Sequence, residues 1–125
     1  MKIDLSNFTG TESYHKLSLG NMKATDGFAY LCEKAKCYWL SDIVSSVQAL
    51  PKVVEHSFFL VWRVVKKGDG CIVEAYQDCE EDGSYSETKL VYRQKVIYTD
   101  FPFDREDEAF EFYQQGDVVL LKREH

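Results

Sequence analysis

The chain has 125 residues, room for one domain and not two. Hydrophobic residues make up 45% and charged residues 29%, an ordinary globular balance that argues against disorder except at the ends. The net charge of −6 comes with scattered Lys and Arg, whose densest knots are the pairs Lys66-Lys67 and Lys122-Arg123; a nucleic-acid partner is therefore not expected.

The start, Met1 to Ser6, has no apolar h-region. The longest apolar stretch, Phe58 to Trp62, is too short to span a bilayer. A cytoplasmic protein without a membrane partner is expected, with its four Cys as free thiols. Residues 1–24 are weakly patterned. Thr9-Gly10-Thr11-Glu12 and Gly20-Asn21 read as turns, and Tyr14, Leu17 and Leu19 are candidates to lie against the core.

Thr25-Asp26-Gly27 reads as a helix start, with Thr25 or Asp26 as the cap. Phe28, Leu31, Cys32, Ala35, Trp39, Ile43, Val47 and Leu50 recur at helical spacing and predict one apolar stripe. Tyr30, Tyr38, Leu40 and Val44 widen it, so the helix is either clamped on two sides or broken near Lys36-Cys37. Pro51 is expected to end it.

From His56 the period becomes two. Phe58, Leu60, Trp62 and Val64 fall on one face, with Trp62 as core; Phe59, Val61, Arg63 and Val65 fall on the other. Lys66-Lys67-Gly68-Asp69-Gly70 reads as a hairpin loop, Cys71 to Gln77 as the returning strand, and Asp78 to Thr88 as an acidic loop. Lys89 to Tyr98 predicts a third strand, with Leu90, Tyr92, Val96 and Tyr98 opposite Arg93 and Lys95. It closes in Asp100-Phe101-Pro102-Phe103, a corner where Phe101 is pushed toward extended backbone and Asp100 is placed to stop the strand. After the charge run Asp104 to Glu108, Ala109–Gln114 and Val118–Lys122 flank a last hairpin at Gln115-Gly116-Asp117. The expected architecture is a single α+β domain over residues 1–125, with one or two N-terminal helices packed on an antiparallel sheet of about five strands. The other sheet face, bearing Arg63, Glu74, Arg93 and Lys95, is expected to be mostly wet.

Four pieces stand in sequence: Phe8-Thr9-Gly10-Thr11-Glu12, Thr25-Asp26-Gly27 with Tyr30-Leu31, Tyr38-Trp39-Leu40, and Tyr98-Thr99-Asp100-Phe101-Pro102. As a set they resemble a family of small uncharacterised bacterial and phage proteins, known only as a domain of unknown function. The resemblance runs over roughly residues 8 to 121. It implies a stand-alone small protein of bacteria or their mobile elements and supplies no activity, cofactor or catalytic residue. The family pattern leads one to expect Gly near Lys36, where this chain has none.

No residue pattern carries a reaction. Cys32 with Cys37 and Cys71 with Cys79 do not have zinc-ligand spacing, so no metal or cofactor is expected and the thiols are read as buried or idle. His15 and His56 lack an adjacent nucleophile on the same face, and no Gly-x-Ser-x-Gly elbow or phosphate loop is present. Asp26 is read as a cap and Glu33 as a solvated helix charge, whereas Asp42 lies beside the apolar stripe. Trp39, Trp62, Tyr92, Tyr98, Phe101 and Phe103 read first as a core cluster and, alternatively, as a pocket or partner surface.

The candidate ligand- or partner-binding residues are therefore Trp39, Asp42, Tyr98, Asp100 and Phe101, with no catalytic residue assigned. The leading reading is a non-enzymatic interaction or regulatory accessory protein with a protein partner. Its alternative is a small-ligand-binding domain or enzyme using the aromatic and carboxylate pocket. A third reading is an acidic decoy of nucleic acid. A concave pocket with converging polar groups would favour a ligand, a flat apolar patch a protein. Phe59, Val61 and Val65 also raise a homodimer.

Overall fold

A computed structural model describes residues 1–10, 13–17 and 20–125. Two short strands, β1 (Tyr14–Lys16) and β2 (Lys23–Thr25), precede helices α1 (Asp26–Ala35), α2 (Tyr38–Ser46) and α3 (Pro51–His56). Strands β3 (Leu60–Lys67), β4 (Gly70–Tyr76), β5 (Leu90–Val96), β6 (Ala109–Gln115) and β7 (Val118–Leu121) follow. All seven strands join one sheet in the order β1-β2-β7-β6-β3-β4-β5. Its pairs are antiparallel except β2 with β7, which run parallel. The fold is thus mixed α+β, with more strands and helices than the alternating pattern revealed. Strands β1 and β2 have three residues each and α3 has six, too few for a period to register.

Thr25 caps α1, its hydroxyl accepting the Phe28 N–H at 3.4 Å. The carboxylate of Glu124 joins it: Oε2 accepts the Gly27 N–H at 3.0 Å, and Oε1 accepts the Thr25 hydroxyl at 2.6 Å. A negative group at this end suits the helix dipole. Gly27 makes room for it, because a Cβ there would lie 2.7 Å from Glu124 Oε1 and 2.6 Å from Leu121 Cδ1.

The helical segment breaks at Lys36, which takes the left-handed conformation at φ 53° without being glycine. The break resets the phase of the apolar stripe. Before it Phe28, Leu31, Cys32 and Ala35 are buried; after it Leu40, Val44 and Val47 are, while Trp39 and Ile43 are half-buried and Leu50 is exposed. Pro51 does not end the helical region. It opens α3 from the first turn, where its missing N–H costs nothing. Residues 51–56 are therefore helical, and the extended chain begins at Leu60 rather than His56.

Leu60, Trp62 and Val64 face the helices, and Trp62 is fully buried. Phe58, expected beside them, lies in the turn before β3 and is 75% exposed. The β3–β4 hairpin closes through Gly68 at φ 58°. Strand β5 ends at Val96, so Tyr98 is outside the sheet and 73% exposed. A register shift opposite Ala75 and Tyr76 also takes Leu90 out of the alternation. At the corner, Phe101 and Phe103 are buried with ring centroids 4.8 Å apart. Thr99 Oγ1 holds the turn, accepting the Phe101 N–H at 3.1 Å. Asp100 is exposed there. Among the N-terminal residues, Leu17 is buried in the core and Tyr14 is exposed; Leu19, Thr11 and Glu12 lie outside the described residues.

The second sheet face is not mostly wet. Val61, Glu74, Tyr76 and Leu120 are buried on it. Tyr85, from the 78–89 loop, packs 4.9 Å from Tyr76 and takes the Arg63 guanidinium 4.4 Å above its ring. Phe59 packs against Tyr113 and His125 at 5.1 and 5.8 Å. Of the patch that raised a homodimer, Val61 is buried and Phe59 and Val65 are half-buried, so the chain itself covers part of it. The N-terminal segment extends the sheet instead of covering this face.

Candidate functional site

The five residues singled out in the sequence do not form one site. Phe101 is core, and Tyr98 and Asp100 are exposed at the corner. Trp39 and Asp42 are half-buried on α2. Asp42 acts inward: its charge is one of the influences holding the Cys32 thiol protonated, after the hydrogen bond with Cys37 and burial. The expected aromatic cluster is met only in part: Trp62 lies 6.4 Å from a tilted Tyr92 and Phe101 packs on Phe103, but Tyr98 is exposed, and Trp62 stacks instead on Phe112 at 6.2 Å in the core.

The densest polar chemistry lies on the second sheet face. Glu74 Oε2 accepts the Arg93 Nε–H at 2.7 Å and the Tyr76 hydroxyl at 3.0 Å. Glu111 accepts the Arg63 Nε–H at 2.9 Å and the Lys122 ammonium at 2.8 Å. Burial alone would raise the Glu111 carboxyl, but Lys122 and Arg63 hold it below the ordinary glutamate value. Burial and Glu111 push the Tyr85 hydroxyl up. This network binds the 78–89 loop and the C-terminal residues to the sheet. Its groups pair with one another, so it reads as a structural staple.

A cleft of about 390 Å³ opens between β1 and α1. Phe8, Tyr30 and Tyr38 supply aromatic wall, and His15, Lys16, Asp26 and Glu33 supply charge. The imidazole Nε2 of His15 and the hydroxyl of Ser13 both donate to Asp26 Oδ1 at 2.8 Å. They share a carboxylate oxygen; the hydroxyl does not lie on the imidazole as a nucleophile–base pair requires. Sequence reading gave His15, Asp26 and Glu33 no shared site. The available signal was the seven-residue step from Asp26 to Glu33, two turns on one side of α1. Nothing local announced that β1 would bring His15 to the same place.

At the other end of the helical layer is an apolar ridge. Leu50, Val54 and Phe58, four residues apart along α3 and the turn after it, are exposed by 44, 56 and 75%. Beside it lies a groove of about 540 Å³ lined by Met22, Ala49, Gln48, Ser57 and Gly116, with Val54 on its rim. Ser45 also lines this groove, and its hydroxyl oxygen is buried without a hydrogen-bond partner among the described residues. The sequence pattern missed the ridge because helical spacing assigned Leu50 to the core stripe and alternation assigned Phe58 to the core strand face.

Among the described residues, no group of three or more His, Cys, Asp or Glu side chains is placed to hold a metal ion. No helix among them is long and apolar enough to cross a membrane. No curated protein and no solved structure matches the chain. Three of the sequence pieces that carry the family resemblance meet at the β1–α1 cleft, through Phe8, through Asp26 and Tyr30, and through Tyr38. The match to a family description extends over residues 1–125: the chain belongs to DUF6876, a family of unknown function.

Proposed function

We propose that this chain is a non-enzymatic interaction protein, a single domain over residues 1–125 that meets a protein partner through the Leu50–Val54–Phe58 ridge. The observation that carries the reading is the exposure of these three large apolar side chains in one line beside a groove. Burying them against a partner removes apolar surface from water, and the groove offers a place for a partner side chain. A second copy is one such partner, now through the ridge and not through Phe59 and Val61. The bacterial or mobile-element setting belongs to this proposal too. Co-purification of tagged chain from its host cells, read by mass spectrometry, tests it. A partner recovered with the wild type and lost with Val54→Glu supports the reading. The same proteins recovered with both chains would remove it.

A further inference from the structure

We infer that the cleft between β1 and α1 is a binding site for an alkylammonium group, a site separate from the ridge. The cleft has about 390 Å³, within the range of small-ligand pockets. Among the described residues, the lining carboxylates are Asp26 and Glu33 and the lining basic groups are Lys16 and His15; with Asp26 engaged by His15 and Ser13, Glu33 is the carboxylate placed to meet a cation. His15 is turned to donate to Asp26 at 2.8 Å, so its Nε2 is not offered to an anion. The nearby N-terminus of α1, the usual place for an anion, already holds the Glu124 carboxylate. Glu33 is exposed and has no hydrogen bond or ion pair among the described residues.

The walls supply the other half of the recognition. Aromatic faces attract ammonium groups, more strongly when water is excluded. Tyr30 already takes a cation of the chain itself, Lys34 Nζ lying 5.6 Å from its ring centroid, so a ligand's charge is left with Tyr38 as its aromatic partner. Phe8 packs 4.9 Å from Tyr30 and extends that wall. Tyr38, 55% exposed at the start of α2, borders the same cleft and buries little of itself in the fold. An ammonium with apolar substituents fits this set: its carbon atoms meet the rings and its charge meets Glu33. The same chemistry comes from a free amine such as choline or from a lysine side chain.

Calorimetric titration separates these cases. The probes are choline, its uncharged carbon isostere, and Nα-acetyl-lysine amide. Saturable binding of choline or the lysine amide is expected, with the isostere weaker by roughly fivefold or more. Whichever charged probe binds tighter names the source. Tyr38→Ala and Glu33→Gln, both at exposed positions, are each expected to weaken that binding by roughly fivefold with the thermal midpoint unchanged. Absence of saturation by either charged probe would overturn the inference. So would equal binding of choline and its isostere, or binding untouched by both substitutions.

Discussion

The indole N–H of Trp62 donates to Gln114 Oε1 at 3.0 Å, and both side chains are fully buried. The same oxygen accepts Gln48 Nε2 at 3.1 Å, while Gln114 Nε2 donates to Gln48 Oε1 at 2.8 Å and to the Gly116 carbonyl at 2.9 Å. One amide thus ties β3 to the α2–α3 connection and to the β6–β7 turn. A buried amide is tolerated here because its donors and acceptor are all engaged. Gln114→Leu should cost about 2–3 kcal/mol, since it leaves the indole N–H and Gln48 Oε1 without partners, while Gln48 Nε2 keeps the Val44 carbonyl. Urea unfolding of the double variant with Trp62→Phe should show a loss smaller than the sum of the singles by about 1 kcal/mol. Strict additivity would show that the bond contributes nothing.

Lys36 holds a left-handed conformation that glycine adopts without strain. Lys36→Gly is expected to stabilise the protein by about 1 kcal/mol, read as a raised denaturation midpoint. A lowered midpoint would mean that the lysine side chain contributes more than its backbone strain costs.

The depressed Glu111 carboxyl makes a signed prediction. The unfolded group titrates near 4.5, and the folded one titrates lower. Its contribution is complete above 4.5 and is lost as pH falls through the folded value. Wild-type stability should therefore fall on the acid side of that point. In Glu111→Gln the fall should be shallower and the neutral-pH stability lower, as measured by unfolding at several pH values. An identical acid slope in both chains would contradict the assignment.

Cys32, Cys37 and Cys71 are buried, and Cys79 is partly exposed. Burial pushes the Cys71 thiol up to about 11, and Cys32 is pushed up by Cys37 and by burial. Buried, protonated thiols are poor nucleophiles. An aromatic disulfide reagent should therefore titrate Cys79 quickly in the native protein and the other three only after denaturation. Rapid reaction of Cys32 or Cys37 in the native state would show that the α1–α2 junction opens.

The parts of this structure legible in sequence were those carried by long periodic runs. Trp62 and Val64 followed from alternation, and the start of α1 from Thr25-Asp26-Gly27, although the cap is Thr25 and Asp26, read as a cap, is the first helical residue. Phe58 and Leu50 were misplaced for one reason: each sits at the end of an element, where the period no longer dictates which side a residue takes. The β2–β7 pairing joins Lys23 to Val118, and the His15–Asp26 contact joins two separate elements. Neither leaves a local signal. Asp100 was given the turn-holding role that Thr99 performs, because both residues have side-chain oxygens able to reach the same backbone.

The ridge is tested most directly by the affinity of a recovered partner for three purified chains: wild type, Val54→Glu and Tyr98→Ser. Val54 and Tyr98 are both exposed apolar positions, one on the ridge and one at the corner. Val54→Glu should weaken binding by at least about tenfold, as a charge placed in an apolar contact does, and Tyr98→Ser should leave it unchanged. Unchanged binding by Val54→Glu, or a loss confined to Tyr98→Ser, would contradict the ridge as the interaction surface.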